Sequence, residues 1–195
     1  MKQLLHGMRR AALPLPLAAL AAPCAAFLLS AAALGGQFSP WALAAVAAAG
    51  TGWNGAAAGL GALLGALAFL DFQPGLRHGA AALLIFCANT AFCTTRLYRR
   101  DWFRPAAAVL ASALVQTAYL WQRGGRQWAL CAAALALLYG CTRLWPQKLG
   151  GPADTGRTGW FLLLLGVCAC LSRLSLYGFT PALTAAAVLL LALGR

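Results

Sequence analysis

LGGQFSPWALAAVAAAGTGWNGAAAGLGALLGALAFL runs from Leu34 to Leu70 and contains no charged residue. A polar, Gly-rich break at residues 35–40 opens it, and a second break, Gly50 to Asn54, divides it. From Pro40 to Leu70 one helix would be about 46 Å long, well over the ~30 Å of a hydrocarbon layer. We therefore predict a tight hairpin of two short helices in a membrane, about Pro40 to Gly50 and Gly55 to Leu70, with Ser39 as the N-cap of the first.

The composition is typical of a membrane protein. Apolar residues make up 62% of the chain and charged residues 9%, against about 25% charged in an ordinary soluble domain. There are 15 Lys and Arg against three acidic residues, all of them Asp, for a net charge of +12. Because the cations lie between apolar segments, we assign them to membrane orientation and to contact with anionic lipid head groups. No basic cluster is interleaved with aromatics on a polar surface, so we predict no nucleic-acid partner.

The alternation of apolar and polar segments predicts an all-α fold, a polytopic transmembrane bundle of about eight short helices with a cytoplasmic N-terminus. The whole chain, 1–195, is interpreted as one domain, with a basic N-terminus at 1–10 and its longest polar loop at 143–159. The first helix, about Ala11 to Leu34, is too long for a cleaved signal peptide. A polar loop is predicted at 71–78, and the main basic cluster lies at 96–104. The later helices are predicted at about 79–95, 105–121, 127–142 and 160–171, and a final segment ends at 193.

The distribution of positive charge tests this order of helices. With eight crossings, eleven of the 15 Lys and Arg fall on the cytoplasmic side and four outside. A single crossing over Pro40–Leu70 would leave seven inside and eight outside. The positive-inside rule therefore favours the hairpin. The short helices at Pro40–Gly50 and Trp160–Leu171 leave re-entrant segments as the alternative.

No constellation of side chains points to chemistry, so we predict no catalytic, cofactor-binding or metal-binding residue and no cofactor. His6 and His78 lie far apart, in terminal or loop positions, without metal-ligand spacing. Three isolated Asp and no Glu cannot supply a paired-carboxylate site. The seven cysteines are interpreted as buried thiols that pack as small apolar groups: Cys24, Cys87, Cys93, Cys131, Cys141, Cys168 and Cys170.

Glycines and tryptophans are assigned to packing and anchoring. The pairs Gly55/Gly59 and Gly61/Gly65 have the four-residue spacing that lets helices approach closely in lipid. The tryptophans mostly mark helix ends, where anchoring at the membrane interface is the preferred interpretation: Trp41, Trp53, Trp102, Trp121, Trp128, Trp145 and Trp160.

One family resemblance follows from these motifs. The run GGQFSPWALA at 35–44, the GALLG helix at 61–65 and RHGAA at 77–81 resemble the N-terminal membrane region of stage II sporulation protein E. In that family the region precedes a cytoplasmic PP2C-type serine/threonine phosphatase and places it at the sporulation septum. The 195 residues hold no counterpart of the phosphatase, so the resemblance implies only membrane anchoring and localisation, for a truncated or split relative. The partners it implies are a second copy of the chain or division and sporulation proteins.

Three hypotheses follow. The first is a non-catalytic multi-pass anchor in the cytoplasmic membrane, resembling that sporulation region. The second is a small-molecule transport subunit, such as the vitamin-binding component of an energy-coupling-factor transporter. An integral-membrane enzyme is the third and is disfavoured by the shortage of acids and bases.

Overall fold

The helices account for most of the chain that the structure, a computed structural model, describes: residues 15–121, 124–145 and 163–171. These ranges contain no β-strand, only an isolated bridge between Leu34 and Phe38. The prediction of an all-α fold is confirmed. The helices are α1 (Leu15–Leu29), α2 (Pro40–Ala49), α3 (Gly52–Phe69), α4 (Phe72–Phe92), a 3-10 turn (Leu97–Arg99), α5 (Phe103–Leu120) and α6 (Gly125–Arg143), with a further helical stretch at 163–171.

The stretch from Leu34 to Leu70 folds as a helical hairpin, as predicted, although its second helix begins at Gly52 and not at Gly55. Only Gly50 and Thr51 separate α2 from α3. Gly50 and Gly52 have φ angles of +74° and +75°, a left-handed conformation that glycine adopts without steric cost. Ser39 is the N-cap residue of α2 but makes no capping hydrogen bond. Its hydroxyl donates instead to the Leu29 carbonyl at 2.9 Å, so it ties the start of α2 to the end of α1.

Helix α2 lies at the centre of the bundle. Its first eight residues, 40–47, are all buried, and it contacts each of the five other α-helices. Ten residues correspond to about 15 Å, half of the ~30 Å of a hydrocarbon layer. Burial on every face is tolerated because the helix has no polar side chain and consists mostly of alanine.

Two glycines bring α1 and α3 into backbone contact. A Cβ on Gly61 would lie 2.8 Å from the Pro23 Cα, and one on Gly65 would lie 2.9 Å from the Phe27 Cα. Gly61 contacts Pro23, and Gly65, one turn later, contacts Phe27, one turn later in α1. The two helices therefore run parallel. The packing prediction is confirmed for this pair. It is wrong for Gly59, because a Cβ there would meet nothing within 4 Å.

Parallel α1 and α3 imply that the chain reverses at each turn, so the α2–α3 turn and the α4–α5 connection share one end. Tyr98 places its hydroxyl beside Gly50 and lines the same cleft as Arg100, Arg104 and Arg143. We call this the basic end. The α3–α4 turn and Gly124 lie at the opposite end.

Small side chains fill the interior and large apolar ones face outward. The main hydrophobic cluster consists chiefly of alanines, most of them from α1 to α5, and α6 adds Leu138 and Cys141. Large leucines in the middle of α3, α4 and α5 point away from the bundle and are 59–69% exposed: Leu60, Leu64, Leu83, Leu110 and Leu114. This is the reverse of the usual soluble arrangement, in which leucine is among the most buried residue types.

Several sequence predictions are corrected here. Residues 72–78, predicted to be a loop, form the first two turns of α4. The first helix ends at Leu29, five residues before the predicted end, and the connection that follows contains Gly35 and Gly36 with positive φ angles. The predicted final segment, 181–193, lies outside the described residues, as do 11–14 and 160–162.

The structure corrects the tryptophan prediction at one position and the cysteine prediction at three. Trp41 is buried in the core and anchors no interface, whereas Trp53 and Trp121 are strongly exposed at helix ends. Three thiols are buried, but those facing outward do not fit the prediction of buried packing: Cys24, Cys87 and Cys93.

Within the described residues, α3 is long and apolar enough to cross a membrane, with 33% of its span buried. The apolar stretches Leu20–Leu29 and Pro40–Ala49 are shorter. Helices α4, α5 and α6 have the length but include polar residues such as Arg77 and Gln116.

Candidate functional site

Polar side chains gather at the point where α2 begins inside the bundle. A small cavity there is lined by Ser39 before α2, His78 of α4, and Ser112 and Gln116 of α5. All four side chains are at most 5% exposed. They reach one another because α2 is short: its N-terminus stops part-way across the bundle, beside the middle of α5.

Most buried polar groups elsewhere are satisfied by backbone carbonyls. The Ser30 hydroxyl lies 2.9 Å from the Ala26 carbonyl, to which it donates. Thr142 donates to the Leu138 carbonyl at 2.7 Å. Such bonds are the usual reason why polar residues are tolerated inside a helical bundle.

The His78 imidazole has no such bond. It is 1% exposed, and neither Nδ1 nor Nε2 has a hydrogen-bond partner among the described residues. A buried polar atom left unsatisfied costs roughly 1–3 kcal/mol. The cavity beside the ring has room for about one water molecule. The arrangement is suited to hold one small polar molecule between the imidazole and the hydroxyl and amide groups opposite.

Arg77 extends this polar cluster towards the surface. Its guanidinium Cζ lies 3.5 Å from the centroid of the Tyr119 ring, a stacking that orients the cation. Its Nη1 is 3.5 Å from the Gln116 Oε1, to which it donates. Gln116 thus joins a partly buried charge to the cavity at His78.

The cluster offers recognition groups but little for catalysis. It contains one imidazole, two hydroxyls, an amide and a guanidinium, and no carboxylate lines the cavity. Among the residues that the structure describes, no group of three or more His, Cys, Asp or Glu could hold a metal ion. The arrangement can therefore bind and orient a small polar molecule, and the one titratable side chain beside His78 on the cavity wall is the thiol of Cys131.

No family of known proteins, no curated protein and no solved structure matches this chain. The resemblance to the sporulation membrane region therefore rests on the motifs alone.

Sequence reasoning missed this site, because it placed His78 in a loop. Pro74 and Gly75 favour a loop locally, although Pro is also common in the first turn of a helix. The signal was the spacing of His78, Ile85 and Asn89, which repeats at intervals of seven and four residues on one helix face. All three residues are buried in α4.

We expect His78→Leu to keep or raise the stability of the purified protein, with a change within about 1 kcal/mol, if the imidazole has only a packing role. Leucine has a similar volume, and removing both unpartnered nitrogens removes their desolvation cost. Thermal unfolding in detergent measures this. The comparison variant is Asn89→Leu, which removes the amide that lies 3.5 Å from the Ala47 carbonyl and should destabilise. A clear loss of stability in His78→Leu would contradict the expectation and indicate that the imidazole is hydrogen-bonded in solution.

Proposed function

We propose that this chain is a non-catalytic multi-pass membrane anchor, a helical bundle inserted in the cytoplasmic membrane with its basic end towards the cytoplasm. The observation that carries the proposal is the inverted arrangement of apolar side chains. Alanine and glycine fill the helix contacts, and leucine covers the outside. In lipid, outward leucines cost nothing and small residues let helices pack closely. In water, the same surface would be an aggregation hazard.

Helix length supports the same proposal. Helices α3 to α6 have 18, 21, 18 and 19 residues, or about 27–32 Å at 1.5 Å per residue. This matches the ~30 Å hydrocarbon thickness. The polar residues of α4 and α5 do not argue against insertion, because His78, Asn89 and Gln116 point into the bundle, as polar residues in membrane helices do.

The placement of charge supports the orientation. Arg99, Arg100, Arg104 and Arg143 lie at the basic end, whereas among the described residues the opposite end has Arg77 and Arg126. An excess of arginine on one side is typical of the cytoplasmic face. The resemblance to stage II sporulation protein E favours an anchor whose partners are a second copy or division and sporulation proteins.

Cysteine labelling of the full chain in intact cells tests both insertion and orientation. In a background without the seven native cysteines, a cysteine at Trp53 should react with a membrane-impermeant maleimide only after permeabilisation. A cysteine at Phe72 should react in intact cells. The two positions are matched, since their side chains are 77% and 71% exposed. Trp53 lies in the first turn of α3, and Phe72 lies just beyond the other end of that helix. Equal labelling of both in intact cells, or release of the protein by alkaline carbonate, would refute the anchor.

A small-molecule transport subunit is the second candidate. One observation favours it, namely that the polar cavity lies at the start of a half-length helix. Transporters commonly place substrate sites at the ends of such short helices. The size of the cavity, suited to one water molecule, supports the anchor more. Saturable binding of a small polar ligand by the purified protein, abolished in His78→Leu, would favour the carrier.

A further inference from the structure

A cationic cleft lies at the basic end, apart from the His78 cavity. It is formed between the segment that precedes α5 and the C-terminal end of α6, and encloses about 380 Å³. Its charged lining residues are four arginines and one aspartate: Arg99, Arg100, Arg104, Arg143 and Asp101.

Two of these arginines are held in place by neighbours. The Arg104 guanidinium lies over the Tyr98 ring, 4.6 Å from its centroid. On the facing helix, Arg143 Nη1 is 3.5 Å from the Tyr139 hydroxyl. Because aromatic stacking restricts a guanidinium's orientation, less side-chain freedom is lost when it binds a ligand.

The charge of the cleft selects for an anion. Four guanidinium groups around one hollow repel one another, and the single Asp101 carboxylate offsets one of them. An anion bound among them lowers this repulsion, and guanidinium forks match the oxygens of a phosphate group in paired hydrogen bonds. A hollow of 380 Å³ has room for a phosphate group with its attached alcohol.

An apolar groove lined in part by the same segment, at Leu97, Trp102 and Phe103, indicates where that phosphate comes from. Trp102 and Phe103 line this groove together with Leu84, Leu110 and Leu114, and it encloses about 440 Å³. It runs from the basic end along α4 and α5 over the outward leucines. A free phosphate ion would leave this groove unused, whereas a phospholipid has an acyl chain to occupy it.

We propose that the cleft binds the phosphate headgroup of an anionic phospholipid whose acyl chain lies along the α4–α5 groove. This inference rests on the proposed membrane location and deepens it. The bundle has a defined lipid site at its cytoplasmic end, in addition to general attraction between basic residues and an anionic leaflet.

Native mass spectrometry of the full-length protein in a neutral detergent tests the site, with phosphatidylglycerol and phosphatidylcholine of the same acyl chains as probes. We expect wild type to retain phosphatidylglycerol in preference. Arg104→Ala combined with Arg143→Ala should weaken that retention about tenfold or more, since each substitution removes charged hydrogen-bond donors from the phosphate, and tenfold corresponds to about 1.4 kcal/mol. The matched control is Arg96→Ala with Arg126→Ala, which removes the same charge from exposed arginines outside the cleft. It should retain the lipid as wild type does.

The outcomes separate this inference from the proposed function. Equal loss of lipid in both double variants would mean general charge attraction and would overturn the site. If excess inorganic phosphate displaced the lipid, and the protein retained both lipids equally, the cleft would be a free-phosphate site. That result would overturn the lipid assignment. Retention of the protein in carbonate-washed membranes, measured alongside, reports on the anchor alone. A membrane-bound protein without lipid preference refutes only the cleft. Gel-filtration profiles that match wild type confirm that both double variants are folded.

Discussion

Gly65→Ala combined with Gly61→Ala is expected to lower the melting temperature of the purified protein by about 5–15 °C. Each added methyl group would press on the backbone of α1, at Pro23 and at Phe27. Backbone cannot move aside as a side-chain tip can, so the two parallel helices must separate. Overpacking of this kind costs roughly 1–3 kcal/mol per site, and for a chain of this size each kcal/mol corresponds to about 2–4 °C. Circular dichroism during heating in detergent measures the shift.

Gly59→Ala is the matched control for this pair. It lies on the same helix, two residues from Gly61, and a Cβ there meets nothing within 4 Å. Because alanine favours a helix over glycine by up to about 1 kcal/mol, this variant should be neutral or more stable. A similar loss of stability in Gly59→Ala and in the double variant would show that the α1–α3 contact does not carry the effect.

Leu110→Lys combined with Leu114→Lys is expected to abolish accumulation of the protein in the membrane. Both side chains lie near the middle of α5 and are 69% and 68% exposed, so a lysine at either position would not be forced into the core. In water the change would be harmless or would improve solubility. At the centre of a bilayer each lysine costs about 2.5–3.5 kcal/mol on insertion scales. Membrane fractionation with immunoblotting measures the result.

Trp121→Lys is the control for these leucines. It replaces an apolar residue that is 85% exposed at the end of the same helix, at the level where lysine reaches the lipid head groups. This variant should accumulate normally. If the double lysine variant instead gave a well-folded protein in the soluble fraction, the outward leucines would face water and the anchor proposal would be wrong.

The hairpin could be predicted from sequence because its signals are local. Pro40 fixes a helix start and Gly50 a turn, and both act through the backbone conformation of a few residues. Charge counting over the whole chain then indicated the same number of helices up to Arg143 as the structure contains. The contact made by Gly61 and Gly65 could also be predicted, because small residues four positions apart in an apolar helix let a neighbouring helix approach closely.

What the sequence could not reveal depends on three-dimensional packing. The cavity at His78 requires knowledge that α2 begins beside Ser112 and Gln116, residues more than seventy positions further along the chain. The burial of Trp41 has the same origin, since nothing local separates a core tryptophan from one that anchors an interface. Gly59 and Gly61 have identical chemistry, and only the position of α1 decides which of them is in contact.

For the proposed membrane anchor, the shortness of α2 has a consequence for biosynthesis. Ten apolar residues are too few to leave a translocation channel as an independent spanning segment, and in lipid the open backbone at each end of so short a helix would be unsatisfied. The helix must therefore be sheltered by protein until α4, α5 and α6 have been made, since these supply the walls around it. We therefore expect the centre of this bundle to reach its final place after its walls have formed, although it is among the first parts to be translated.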